Sequence, residues 1–164
     1  DLLVQALRER DLDALVIDVR ALKPSPDLHV EALPEMAAGF LVRPGHPLLR
    51  ERSVRLSQLN QYPLASTPLS DEVARLLVER YGPQAHPDHW VSLRCDEISQ
   101  LADVARQSDT VLLAVRAAAP DLQALPVQPK LTATARYGIV TVGSRSASPL
   151  LASWREQVHA ILGV

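Results

Sequence analysis

The sequence predicts an α/β protein built as two small lobes, and three observations carry that prediction. Short apolar, β-branched runs alternate along the chain with stretches of helical periodicity, the pattern of a sheet covered by helices. The apolar fraction is 47% and the charged fraction 22%, ordinary for a fold with a buried core. A second α/β stretch, residues 63–130, interrupts the first, so that the chain leaves one sheet near residue 60 and returns near Tyr137. Two Rossmann-like lobes joined by two crossovers follow, with residues 1–61 and 138–164 in lobe one and 62–137 in lobe two. The gap between such lobes is the expected ligand site.

The elements run as follows. Leu2, Leu3, Ala6 and Leu7 recur at helical spacing, with Arg8, Glu9 and Arg10 opposite, and predict an amphipathic helix over 2–10. After the turn Asp11-Leu12-Asp13, the run ALVIDV (14–19) has the composition of a strand covered on both faces. Helix, turn and buried strand together are the closing half of a βαβ unit, whose opening strand is then expected upstream. The chain begins in mid-pattern and reads as part of a longer protein. Strands are expected at His29–Leu33 and Met36–Val42, the second ended by the turn Arg43-Pro44-Gly45-His46-Pro47.

Residues Val54–Ser66 pass from polar to apolar and finish as a strand. Val73, Leu76, Leu77 and Tyr81 then mark one face of a helix that Gly82-Pro83 stops. Trp90–Cys95 alternates like a half-buried strand, Asp96–Gln107 is helical with Ile98, Leu101, Ala102 and Ala105 inward, and Val111–Val115 is a buried strand. The segments LQALPV and KLTATARYGIVTVG are extended. A closing helix carries Leu150, Leu151, Trp154, Val158 and Ile161 on one stripe, with Ser146 or Ser148 as cap and Pro149 in its first turn.

Composition narrows the function. The formal net charge of −2 argues against a nucleic-acid surface within this chain, because phosphate contacts need clustered Lys and Arg. A single cysteine, Cys95, excludes an internal disulfide and a Cys-rich zinc site, and suits a reducing cytoplasm. No run of 18 apolar residues occurs, so no membrane span is expected. His86, Asp88 and His89 lie on what reads as a proline-broken loop, without a third ligand beyond the aspartate, so no metal is expected there. No phosphate loop, nucleophile elbow or Ser/His/Asp set is present; neither catalysis nor a cofactor is expected.

Two junctions carry the candidate binding residues. At the first, Ser66, Thr67 and Ser70 gather around Pro68, where strand becomes helix. Thr67 is the expected cap, Pro68 the first helical residue, and Asp71 and Glu72 oppose the positive helix end. The same hydroxyls and unpaired N–H groups also make a seat for a ligand carboxylate. At the second junction, Arg94, Cys95 and Asp96 follow a strand, and Asp96 is the expected cap of the next helix, with Ser99 three residues on. The negative charge of Asp96 lowers that helix end's affinity for an anion, so a polar, donor-bearing or cationic group suits it better than a second carboxylate. Arg116, after the VLLAV run, is read as a surface residue.

Four segments stand in a telling order: LRERDLDALVID, FLVRPGHPL, VRLSQLNQYPLAS and ASPLLASWREQV. They resemble the "l..G.lDlai", "lv...hPla", "v.l.dL...p.i" and "sp....f...l" segments of the effector-binding region of LysR-type transcriptional regulators. The resemblance spans nearly the whole chain and implies a type II periplasmic-binding-protein fold lacking the N-terminal part of lobe one. One departure is local: where the family has a glycine-rich turn before an apolar strand, Gln107, Ser108, Asp109 and Thr110 stand here. The resemblance implies a cytoplasmic bacterial sensor that holds a small-molecule effector between its lobes, at Ser66, Thr67, Ser70, Arg94, Cys95 and Asp96. It further implies a homo-oligomer, a dimer or tetramer, joined through the 2–10 and 71–81 helices, with hinges around Leu59–Tyr62 and Ala135–Gly138. DNA would be bound only through a helix-turn-helix domain outside this chain. The alternative is a periplasmic-type solute-binding protein of the same fold.

Overall fold

A computed structural model describes residues 2–143 and 149–162. The chain forms two units: residues up to Glu35 together with those from Ala135 onward make the first, and Met36–Thr134 the second. The mixed α/β architecture, with a sheet in each unit, matches the fold class expected from the alternating pattern.

In the first unit, helix α1 (Leu2–Glu9) leads into strand β1 (Leu15–Asp18), and β2 (Leu28–Ala32) follows. The late strand β9 (Tyr137–Val142) lies between them, antiparallel to both, with Leu15 opposite Val140 and Val30 opposite the same residue. The neighbour of β1 among the described residues is therefore antiparallel; the parallel strand of a βαβ unit is the one expected upstream of this chain. Leu7, Leu15 and Val140 form the buried centre, with Leu12, Ile17, Leu28 and Val142 packed around it. Val4 and Leu7 are the buried face of α1, whereas Leu2 and Leu3, expected on that face, are exposed.

Gly138 sits where β9 is flanked on both sides. A Cβ there would fall 2.6 Å from Val19 Cγ1 and 3.1 Å from the Glu31 carbonyl oxygen, so the close approach of the three strands depends on a missing side chain. The closing helix α6 (Pro149–Leu162) has its expected extent. Leu151, Trp154 and Val158 are half-buried, but Leu150 and Ile161 face solvent, so its apolar stripe is narrower than expected. The capping residues Ser146 and Ser148 lie outside the described residues. Glu31 on β2 holds α6 through His159 Nε2 at 2.7 Å and Arg155 Nε at 3.2 Å.

The second unit is one continuous stretch of chain. Its strands are β3 (Met36–Val42), β4 (Leu64–Ser66), β5 (Leu93–Arg94), β6 (Val111–Val115) and β7 (Gln123–Ala124), in the spatial order β5-β4-β6-β3-β7. Strands β5, β4 and β6 run parallel, while β3 is antiparallel to β6 and β7 to β3. The sequence reading counted β3 with lobe one; here it is paired along its length with β6, Phe40 opposite Leu113 and Leu41 opposite Leu112. That pairing follows from its alternation, which serves two cores in turn. Phe40 and Val42 join Leu64, Val111 and Leu113 on one face of the sheet, and Leu41 joins Ala65 and Leu112 on the other.

Each face has its own helix. Helix α3 (Asp71–Tyr81) covers the first face with Val73, Leu76, Leu77 and Tyr81, and α5 (Ile98–Gln107) covers the second with Leu101, Ala102 and Ala105. Burying each large apolar side chain in these layers contributes about 1.5–3 kcal/mol, and Leu77 and Leu101 are almost fully enclosed. The segment Val54–Ser66 holds a one-turn helix, α2 (Leu56–Leu59), before it finishes as strand β4, the ending its polar-to-apolar drift predicts. The predicted strand at 90–95 is corrected more strongly. Pro87–Trp90 forms a short helix, α4, and only Leu93–Arg94 pairs as strand. Trp90 is drawn into the core, its ring 5.5 Å from Phe40 and 6.0 Å from Tyr81, and a residue anchored there cannot also begin an edge strand. Short β8 (Thr134–Ala135) pairs with β3.

The turn expected at Arg43–Pro47 is present and is tied to Asp109 in the Gln107–Thr110 segment. Arg43 donates from Nε and Nη2 to Asp109 Oδ1, at 3.1 and 2.7 Å. Buried His46 accepts the Leu48 N–H on Nδ1 and donates from Nε2 to the Asp109 carbonyl at 3.1 Å. Both ring nitrogens are thus occupied, which fixes the tautomer. The Ser108 hydroxyl accepts the Thr110 N–H at 3.2 Å, which orders the turn into β6.

Candidate functional site

The sheet of the second unit reverses direction of growth at β4. From β4 the chain passes through α3 to reach β5 on one side, then through α5 to reach β6 on the other. The helices fall on opposite faces, and the loops after β4 and β6 part company. Such a switch point leaves open space beyond the C-terminal strand ends, where ligands of open α/β sheets bind.

The expected site residues fall at this edge. Ser66 ends β4 directly beside Arg94, which ends β5, in parallel register. Thr67 and Ser70 continue from β4, and Cys95 and Asp96 from β5. The structure therefore brings all six together on two adjacent strand ends, but gives them different tasks.

Ser66 is fully buried, and its hydroxyl donates to the Leu113 carbonyl of β6 at 3.2 Å. It ties the strand ends together from within. The helix cap is Ser70, whose Oγ accepts the Val73 N–H at 3.4 Å, and not Thr67 as expected. Leu69 packs on the core between them, and the helix begins only at Asp71. Pro68 accordingly precedes the helix. Thr67 is half-buried, and its hydroxyl makes no hydrogen bond among the described residues.

On β5, Arg94 folds back. Its Nη2 donates to the Pro87 carbonyl at 2.6 Å and to Asp88 Oδ1 at 3.1 Å, so its charge is spent on α4. Asp96 is not the cap of α5. That position belongs to Glu97, without a side-chain bond, while the Cys95 sulfur accepts the Glu97 N–H at 3.4 Å and its thiol donates to Gln100 Oε1 at 3.5 Å. With the loop closed by sulfur, the Asp96 carboxylate is exposed and unpaired among the described residues.

Asp88 and His89 lie on α4, not on a loop, and His86 precedes it. His86 caps that helix by accepting the Asp88 N–H on Nδ1 at 3.3 Å, and the two imidazoles lie 6.0 Å apart. Among the described residues no three His, Cys, Asp or Glu side chains gather as a metal site would need. No described helix is long and apolar enough to cross a membrane.

A family profile described as LysR substrate binding domain matches residues 1–162. The chain belongs to the LysR substrate-binding domain family. This is a family of regulator effector domains and not of enzymes. A curated relative, the SDS degradation transcriptional activation protein of Pseudomonas sp. (strain ATCC 19151), is 33% identical over 160 residues, covering 92% of this chain. The chain spans 51% of the length of that relative.

Solved LysR-type structures share the fold. The effector domain of the transcriptional regulator AmpR of Pseudomonas aeruginosa aligns with a TM-score of 0.62 at 18% identity, over 96% of this chain and 75% of that one. The effector-binding domain of QuiR, solved with shikimate, aligns with a TM-score of 0.59 at 12% identity, over 99% of this chain and 76% of the other. In this LysR substrate-binding domain one more residue ends a strand at the same edge. Arg116, expected on the surface, follows β6 directly and is exposed, and its guanidinium pairs with nothing among the described residues.

Proposed function

We propose that this LysR substrate-binding domain holds a small-molecule effector at the C-terminal ends of β4 and β5, and that occupancy controls transcription through a DNA-binding domain outside this chain. Thr67, Ser70, Cys95 and Asp96 contact the ligand in this reading. Ser66 and Arg94 keep the two strand ends in place beneath it. One observation carries the proposal: the switch point at β4 sets a free hydroxyl, on Thr67, and a free carboxylate, on Asp96, at adjacent strand ends.

The family match supports a regulator, and the QuiR domain solved with shikimate supports a small polar molecule as the kind of ligand. The relative named for SDS degradation supports transcriptional activation as the output. The regulator acts in the cytoplasm as a homo-oligomer, and the ligand works by preferring one arrangement of its subunits over another. A transport-linked solute binder shares the fold but draws no support from the family match.

The test is a metabolite screen by thermal shift on the intact regulator, followed by Thr67→Val. Losing one ligand hydrogen bond, about 0.5–1.5 kcal/mol, weakens binding by about twofold to tenfold. Unchanged affinity in a folded Thr67→Val variant refutes the site.

A further inference from the structure

The charges at the C-terminal edge of the second sheet are unevenly placed. Asp71 and Glu72 occupy the first turn of α3 after β4. Asp96 and Glu97 follow β5. Of the two arginines that follow the parallel strands, Arg94 is committed to Pro87 and Asp88, whereas Arg116 has no partner among the described residues. Of these two arginines only Arg116 is unpaired among the described residues, and it follows β6 at the strand-end edge that also carries Asp71, Glu72, Asp96 and Glu97.

An anion entering this edge has a single guanidinium to meet, and a guanidinium suits one carboxylate, sulfate or similar group. A second anionic group would lie toward Asp96, where like charges repel. A hydroxyl, amide or ammonium at that end would instead donate to the Asp96 carboxylate. Strands β5 and β6 flank β4 on either side, which sets their ends about 10 Å apart at the usual strand spacing. That is the span of a short chain or a substituted ring.

We infer that the effector carries one acid group, seated on Arg116, and a hydrogen-bond-donating or cationic group directed at Asp96. This rests on the assignment of the ligand site to this edge. It goes beyond that assignment by fixing the ligand's charge pattern and by adding Arg116 to the site.

A matched six-carbon series tests it on the intact regulator: hexanoate, 6-aminohexanoate, adipate and hexylamine, each at tens of millimolar in a thermal-shift assay at constant ionic strength. Hexanoate and 6-aminohexanoate are expected to raise Tm, the second more, while adipate and hexylamine leave it unchanged. Arg116→Ala should weaken both one-acid probes at least tenfold, without altering the Tm of the free protein. Asp96→Asn should remove the advantage of 6-aminohexanoate over hexanoate. The inference is overturned if adipate binds as well as hexanoate, if no probe shifts Tm, or if Arg116→Ala leaves the one-acid probes unaffected. Thr67→Val separates the two levels of failure. Sensitivity to Thr67→Val with indifference to Arg116→Ala removes only the charge assignment, whereas indifference to both removes the site as well.

Discussion

The hydroxyl of Ser66 reaches across from β4 to the Leu113 carbonyl of β6, 3.2 Å away, and no part of Ser66 is exposed. Removing that donor leaves a buried acceptor short of a partner. Ser66→Ala is therefore expected to lower stability by about 1–2 kcal/mol, read as a drop in urea midpoint at constant slope. A neutral result would mean that the hydroxyl contributes nothing to holding the strand ends.

Gly138 admits no side chain. With a Cβ 2.6 Å from Val19 Cγ1, Gly138→Ala forces β9 or Val19 to move, at a cost of about 1–3 kcal/mol. Adding Val19→Ala removes the nearest atom but not the Glu31 carbonyl at 3.1 Å. The double variant should then recover part of the loss, a coupling that a double-mutant cycle measures directly.

Tyr81 donates its hydroxyl to the Pro129 carbonyl at 2.8 Å. Burial pushes its pKa up to about 12 from 10.0. The neutral phenol is favoured in the folded state, so its contribution is fully present below pH 10 and is lost as pH rises through 12. An ultraviolet titration should show a tyrosine phase near pH 12, and Tyr81→Phe should abolish that phase while lowering stability by about 1 kcal/mol.

Arg106 grips Asp121 with two parallel bonds of 2.8 Å and reaches Asp103 at 2.7 Å. Hydrogen bonding from Arg106 draws the Asp121 pKa down to about 2 from 3.8. A depressed carboxylate stabilises the fold above its unfolded pKa, and that contribution disappears as pH falls from about 4 toward 2. Since the pair is solvent-exposed, added salt should shrink the effect. Carboxyl NMR on Arg106→Gln should find Asp121 titrating closer to 3.8; no movement would contradict the assignment.

Long, strongly periodic segments were readable from the sequence. The strands at Met36–Val42 and Val111–Val115 and the helices at 71–81 and 149–162 stand where alternation or 3.6-residue periodicity set them. Short elements were not. A two-residue strand at Leu93–Arg94 and a four-residue helix at Pro87–Trp90 are too brief to show a period, and the core's demand for Trp90 decided both. Local capping rules favoured Thr67 and Asp96, but Ser70 caps the first helix, with Leu69 packed on the core before it, and the Cys95 sulfur displaced Asp96 from the second loop. The candidate residues nonetheless lie at or just after the ends of β4 and β5, because residues that end neighbouring parallel strands share an edge whatever their individual bonds. The pairing of Arg94 with Asp88 and the Pro87 carbonyl is not legible in the sequence, because it depends on the short helix α4 bringing Asp88 within reach.

Among the described strands β9, which lies between β1 and β2, is made last, about a hundred residues after β2. At roughly 5–20 residues per second a ribosome needs about 5–20 s to span that interval. Throughout it β1 and β2 lack the strand they both pair with, while Met36–Thr134 already contains every partner its own strands require. Maturation is thus ordered by translation: the continuous half can fold as it emerges, and the split half must wait for its keystone.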